Sequence, residues 1–148
     1  VKITAKTSEE KGLTFTSFLM YHFIMNLRWR ILYYTAENGD CPVENFINIR
    51  SISNQAKIFN WIEQLEIKGP NLPRPYADLL EDGIHELRMK LSGDQVRILY
   101  FFCYKEYIIL THAFFKNTDK VPRSELVKAK KYRDDFIRRF NKKDSKGK

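Results

Sequence analysis

Arg88, Lys90, Arg97 and Lys116 lie close together in the stretch from Gly83 to Lys116. The same stretch is rich in Ile, Leu, Tyr and Phe, as a packed sheet requires. A cation set into such a strand either binds an anion or answers a carboxylate, because burying it unpaired is costly. A period of two shows where each side chain points. His85, Leu87, Met89 and Leu91 share one face of the first strand; Glu86, Arg88 and Lys90 share the other. In the second strand Val96, Ile98, Tyr100 and Phe102 alternate with Arg97, Leu99, Phe101 and Cys103, so both faces are largely apolar and the strand is expected to be central. Arg97 is the one charge between Val96 and Cys103. It either meets a carboxylate such as Glu86 or opens onto a site.

Other chemistries find little support. Cys41 and Cys103 form no Cys-x-x-Cys pair and give no disulfide framework, which fits a reducing compartment. His22, His85 and His112 lack metal-ligand spacing. The 148 residues suffice for one domain with a real core. The net charge of +8 is unevenly placed. Residues 116–148 hold 13 basic and 5 acidic residues, whereas the first 115 hold 13 of each. An excess confined to the C-terminal part suits a polyanion, either nucleic acid or an acidic protein segment, with a solvated basic tail as the alternative.

The elements that position these residues can be read in order. Residues 1–24 differ from the rest. The apolar run Leu13 to Met25 is too short to span a bilayer and is followed by no small-residue cleavage site. Met25 reads as a natural start, with the preceding segment outside the domain; the alternative is an extra strand or helix covering the core. Arg28 to Thr35 alternates as a strand. Pro42 opens a short helix with Val43, Phe46 and Ile47 on its apolar stripe. Ser51 or Ser53 caps the next, whose stripe of Ile58, Ile62 and Leu65 is widened by Phe59 and Trp61 and stopped by Gly69-Pro70. Pro70 to Asp82, with three prolines, reads as a loop. The three-stranded meander follows, turning at Ser92-Gly93-Asp94-Gln95 and again between Cys103 and Glu106. Pro122 opens the last helix, which presents Leu126, Ala129, Phe136, Ile137 and Phe140 to the core and Lys128, Lys131, Arg138 and Lys142 on another face. Asn141 to Lys148 reads as a basic, disordered tail. The order strand-helix-helix-three-stranded antiparallel meander-helix predicts a two-layer α+β domain over residues 25–140.

The segments Trp29-Arg30-Ile31-Leu32-Tyr33, Pro42-Val43-Glu44-Asn45-Phe46, Leu80-Glu81-Asp82-Gly83-Ile84-His85-Glu86-Leu87-Arg88, Val96-Arg97-Ile98-Leu99-Tyr100-Phe101 and His112-Ala113-Phe114-Phe115-Lys116 come in an order that resembles the RelE/ParE superfamily of bacterial toxins, most nearly its phage-derived HigB-like branch. The likeness covers about residues 28–140. It implies a RelE-like fold and a small cytoplasmic toxin of a type II toxin–antitoxin system, neutralised by a cognate antitoxin. Many such relatives cut mRNA in the ribosomal decoding site, without metal or other cofactor: the ribose 2′-hydroxyl attacks its own phosphate. The ParE branch instead inhibits DNA gyrase, and a non-catalytic phage-derived nucleic-acid-binding protein is a third reading. By position the resemblance gives Arg97 the transition-state charge, Arg88 and Lys90 the substrate phosphate and 2′-hydroxyl, and Lys116 the phosphate or leaving oxygen. His112 and Tyr132 are its candidates for proton transfer, each with a packing role as the alternative. Lys128, Lys131 and Arg138 would bind RNA beyond the reacting phosphate. No membrane association is implied, and the oligomeric state is a monomer or a small homodimer.

Overall fold

A computed structural model describes residues 14–26 and 28–146. The chain forms α1 (Phe15–Asn26), β1 (Arg30–Tyr33), α2 (Pro42–Asn48), α3 (Ile52–Lys68), β2 (Ala77–Glu81), β3 (Ile84–Leu91), β4 (Asp94–Cys103), β5 (Tyr107–Phe115) and α4 (Arg123–Lys146). The architecture is the expected α+β one, built on a five-stranded mixed sheet in the order β1-β5-β4-β3-β2. The β2–β3, β3–β4 and β4–β5 pairs are antiparallel, and β1 lies parallel to β5 at one edge.

One strand is new. The segment read as a loop, Pro70 to Asp82, ends in β2, which pairs with β3 through a two-residue turn at Asp82-Gly83. Both turn residues have positive φ, 49° and 76°, the geometry an Asp-Gly hairpin favours. The next hairpin turns in the same way at Ser92-Gly93 (φ 50° and 87°).

The helix α2 starts with Pro42 and buries Val43 and Ile47; α3 is capped by Ser51, whose hydroxyl accepts from Asn54 N at 3.2 Å, and buries Ile58, Ile62 and Leu65. These two helices share a core with Leu87, Met89, Val96, Ile98, Tyr100 and Leu110 on one face of the sheet, and Trp61 packs against it. Phe59 does not widen the stripe: it is exposed. On the opposite face α4 contributes Leu126 and Ala129 to a second core with Ile84, Leu99, Phe101 and Ile109; Phe136 and Ile137 pack against it. This helix continues through Lys146, into the stretch read as a tail. Ahead of β1, α1 opens with Thr14, whose hydroxyl accepts from Ser17 N, and exposes Phe15, Leu19, Met20, Tyr21 and Phe23. Residues 1–13, part of the predicted N-terminal extension, lie outside the described residues. No helix among those described is long and apolar enough to cross a membrane.

Candidate functional site

The register of β3 and β4 decides the site. A two-residue turn after Leu91 pairs Leu91 with Asp94, and counting back places Arg88 directly opposite Arg97. Lys90 is opposite Gln95, and Arg97 is opposite Phe114 on its other side. Beyond Phe114, Lys116 donates its backbone N–H to Gln95 O at 2.9 Å, extending the ladder by one residue. Arg88, Lys90, Arg97 and Lys116 therefore share one sheet face, the face that α4 crosses.

Two like charges opposite each other repel. Glu86 resolves the conflict. Its carboxylate is 1% exposed. One oxygen accepts from Arg88 Nε at 2.7 Å; the other lies 3.3 Å from Arg97 Nε. Those last two atoms have no other partner and no aligned hydrogen bond, so the contact is an ion pair rather than a hydrogen bond. Arg97 Nη1 donates to Gln95 Oε1 at 3.2 Å and to Val96 O at 3.0 Å. Arg97 is thus 6% exposed and turned into the protein, and burial pulls its guanidinium below the ordinary arginine value against the opposing effect of Glu86. Arg88 remains partly exposed and also reaches Asp78 at 3.4 Å, which Arg74 pairs at 3.0 Å. Lys90 is exposed and Lys116 half-buried, and among the described residues neither pairs with a carboxylate. The face carries more positive than negative charge, and its outermost charges are lysines.

A bulge places His112. The register of β5 slips between the Leu99–His112 and Tyr100–Leu110 pairs, which leaves Thr111 as the extra residue. Ile109 and His112, three apart, then both face α4. His112 Nε2 lies 2.8 Å from Glu125 Oε2 on the first turn of α4, and Nδ1 lies 3.0 Å from the Thr111 hydroxyl. The ring is 4% exposed. Burial holds its pKa below the ordinary histidine value although Glu125 pulls it up. Tyr132 meets His112 edge-on at 5.7 Å and stacks on Tyr34 at 4.5 Å between helix and sheet. Both residues thus sit at the border of the basic face between helix and sheet, with the histidine's Nε2 occupied by Glu125.

The helix cations separate into two groups. Lys128 and Lys131 are exposed, and Lys128 stands near Glu125 at 3.8 Å, at the rim of the face. Arg138 is ten residues further on, roughly 15 Å along the helix axis. There it pairs with Asp135 and with Glu37 at 3.4 Å. The structure therefore does not bring Arg138 to the cationic face. Nor did the sequence signal that Asp78 joins it, because Asp78 lay in the segment read as a loop. Among the described residues no cluster of His, Cys, Asp or Glu could hold a metal ion.

Comparison with known families fits this geometry. A family model described as "Phage derived protein Gp49-like (DUF891)" matches residues 45–134. The chain belongs to this Gp49-like family, which is associated with RelE-like toxin proteins. The matched region begins in α2 and ends in α4. It contains Arg88, Lys90, Arg97, His112, Lys116, Lys128, Lys131 and Tyr132, whereas Arg138 falls beyond it. No curated protein matches the chain.

Proposed function

We propose that this Gp49-like protein is an RNA-cleaving toxin of the HigB-like kind, acting on ribosome-bound mRNA in the cytoplasm and neutralised by an antitoxin. The observation that carries the reading is the single sheet face on which Arg88, Lys90 and Lys116 surround the buried Arg97. The reaction gathers negative charge on a pentavalent phosphate, which fixed cations stabilise more than the ground state. The 2′-oxygen bonds to phosphorus and the P–O5′ bond breaks, giving a cyclic phosphate and a 5′-hydroxyl. The 2′-hydroxyl proton passes to solvent, and the Lys116 ammonium donates to the departing O5′. Arg88 and Lys90 hold the non-bridging oxygens. Arg97 acts from behind them: it holds Glu86, and Glu86 holds the Arg88 guanidinium in plane. His112 takes no part while Glu125 occupies Nε2.

Arg97→Ala is a poor first test because it leaves a cavity in the central strand and one buried Glu86 oxygen without its counter-charge. Lys90→Gln with Lys116→Gln is a cleaner one. In a purified translation system with primer extension, wild type is expected to cut ribosome-bound message, and the folded double variant to cut it at least about 100-fold more slowly. Intact message with wild type would end the nuclease reading. The pairing of both arginines with Glu86 favours a second reading, a nucleic-acid-binding protein without chemistry. That reading expects salt-sensitive RNA binding without cleavage. Growth arrest with intact message and blocked DNA supercoiling would point to gyrase.

A further inference from the structure

Arg50 lies at the end of α2, outside the cationic face, and is held in an unusual way. Its Cζ is 4.5 Å from the Phe46 ring centroid and 4.9 Å from that of Phe115; the two rings are 5.3 Å apart and tilted by 50°. Nε donates to Phe46 O at 3.1 Å, which fixes the guanidinium against the rings. Every other arginine except Arg30 pairs with a carboxylate. Among the described residues Arg50 has no such partner, and its Nη groups carry no hydrogen bond. A cation at a helix C-terminus has a structural use. That use does not explain what surrounds it: Ile49 is 75% exposed, Ile52 86% and Phe115 39%.

The place of this cluster gives it meaning. Phe115 directly precedes Lys116 at the end of β5 but, pairing with Val96, points to the opposite face of the sheet, so the aromatic–arginine platform lies across the sheet rim from the cationic face. A nucleic-acid strand whose phosphates rest on Lys90 and Lys116 would pass over the sheet rim onto Phe115 and Arg50. Aromatic rings and guanidinium planes are the surfaces on which unpaired bases stack. The uncompensated charge of Arg50 suits a polyanion and not a cationic partner. We propose that Phe46, Arg50 and Phe115 form a base-stacking subsite for single-stranded RNA, adjoining the phosphate site and selecting which nucleotide lies next to it. This rests on the RNA reading of the basic face and adds where a base is held.

The test uses the full chain, a labelled RNA hexamer, and versions of it with one abasic nucleotide at each position, measured by fluorescence anisotropy at low salt. With wild type, one abasic position is expected to weaken binding by about 5–100-fold, the range seen when one base–aromatic stack is removed. Phe115→Leu keeps apolar volume but has no ring. It should weaken the intact hexamer by a similar factor and no longer respond to that abasic position. Arg50→Gln should act in the same direction. Lys116→Gln should instead weaken every oligonucleotide alike and flatten the salt dependence. Phe115→Leu and Arg50→Gln variants that bind intact and abasic hexamers as wild type does would overturn the subsite and leave this surface to a protein partner. Folded wild type that binds no hexamer would overturn the subsite and the RNA reading together.

Discussion

Glu86→Gln is expected to be among the most destabilising conservative changes in this protein. The substitution keeps the side-chain volume and removes the charge. In the native structure the carboxylate is 1% exposed and lies between Arg88 Nε at 2.7 Å and Arg97 Nε at 3.3 Å. A carboxamide can still accept from Arg88, but it then turns its NH2 toward the Arg97 N–H. Arg97, 6% exposed, is left as a buried cation without a counter-charge. Removing one member of a buried pair typically costs about 3–5 kcal/mol, and for a chain of this length that is roughly 10 °C in Tm. The cost comes from the stranded charge and not from the net worth of the pair. Adding Arg97→Met to Glu86→Gln should therefore recover about 2 kcal/mol or more, since an apolar side chain of similar length suits the site. Urea unfolding followed by circular dichroism measures Glu86→Gln, Arg97→Met and the double variant. A cost for Glu86→Gln below about 1 kcal/mol, or a double variant as unstable as the sum of the singles, would show that Glu86 does not hold the two arginines as described.

Gly69→Ala should cost about 2–4 kcal/mol, read from the urea midpoint, because it combines backbone strain at positive φ with overpacking. Gly69 has φ 51°, and an added Cβ would stand 2.2 Å from Trp29 Nε1. Tyr34 offers a pH-dependent check. Burial, followed by its hydrogen bond to Asp135, pushes the phenol up to about 12 from its ordinary value of 10. The folded state thus holds this proton more tightly than the unfolded one. The contribution is complete below pH 10 and is lost as the pH rises toward about 12. Tyr34→Phe should lower stability by about 1–2 kcal/mol at neutral pH, and the gap to wild type should shrink across that alkaline window. A gap that stays constant to pH 12 would contradict the assignment.

The placement of the cations was legible because period two needs only the sequence: Arg88 and Lys90 share the Glu86 face. Even the Arg88–Arg97 register was implicit, since a two-residue turn at Ser92-Gly93 leaves one pairing. Strand β2 was hidden by its neighbours. Three prolines make the segment look like a loop, yet Asp82-Gly83 between Leu80 and Ile84 is itself a hairpin signal. The bulge at Thr111 left no local mark, yet alternation back from Lys116 places His112 on the face where the register has it; what the bulge shifts is the strand before Thr111. The contact of His112 with Glu125 and that of Tyr34 with Asp135, 101 residues apart, are products of tertiary packing that no window of sequence contains.

The C-terminal charge excess takes on a different meaning once its partners are seen. Read as sequence, it is a basic surface awaiting a polyanion. In the fold much of it closes on the domain itself. Arg123 and Lys130 meet Glu81; Arg133 meets Asp82; Arg138 and Arg139 meet Asp135. Glu81 ends β2 and Asp82 begins the β2–β3 turn, so the helix and the hairpin are tied by charge at one end, while Glu125 and His112 tie helix to sheet near the other. Exposed pairs of this kind are individually weak, about 0–1 kcal/mol. The joint effect of those to Glu81 and Asp82 is to fix where the helix crosses the sheet, whereas the Asp135 pairs lie within the helix. That crossing covers the apolar half of the face and leaves uncovered the half that holds Arg88, Lys90 and Lys116. Arg123, Lys130 and Arg133, which in the sequence only add to a basic excess, are better understood as the clasp that holds the helix on the sheet, and Lys90 and Lys116, left outside it, are the ones to test for RNA binding.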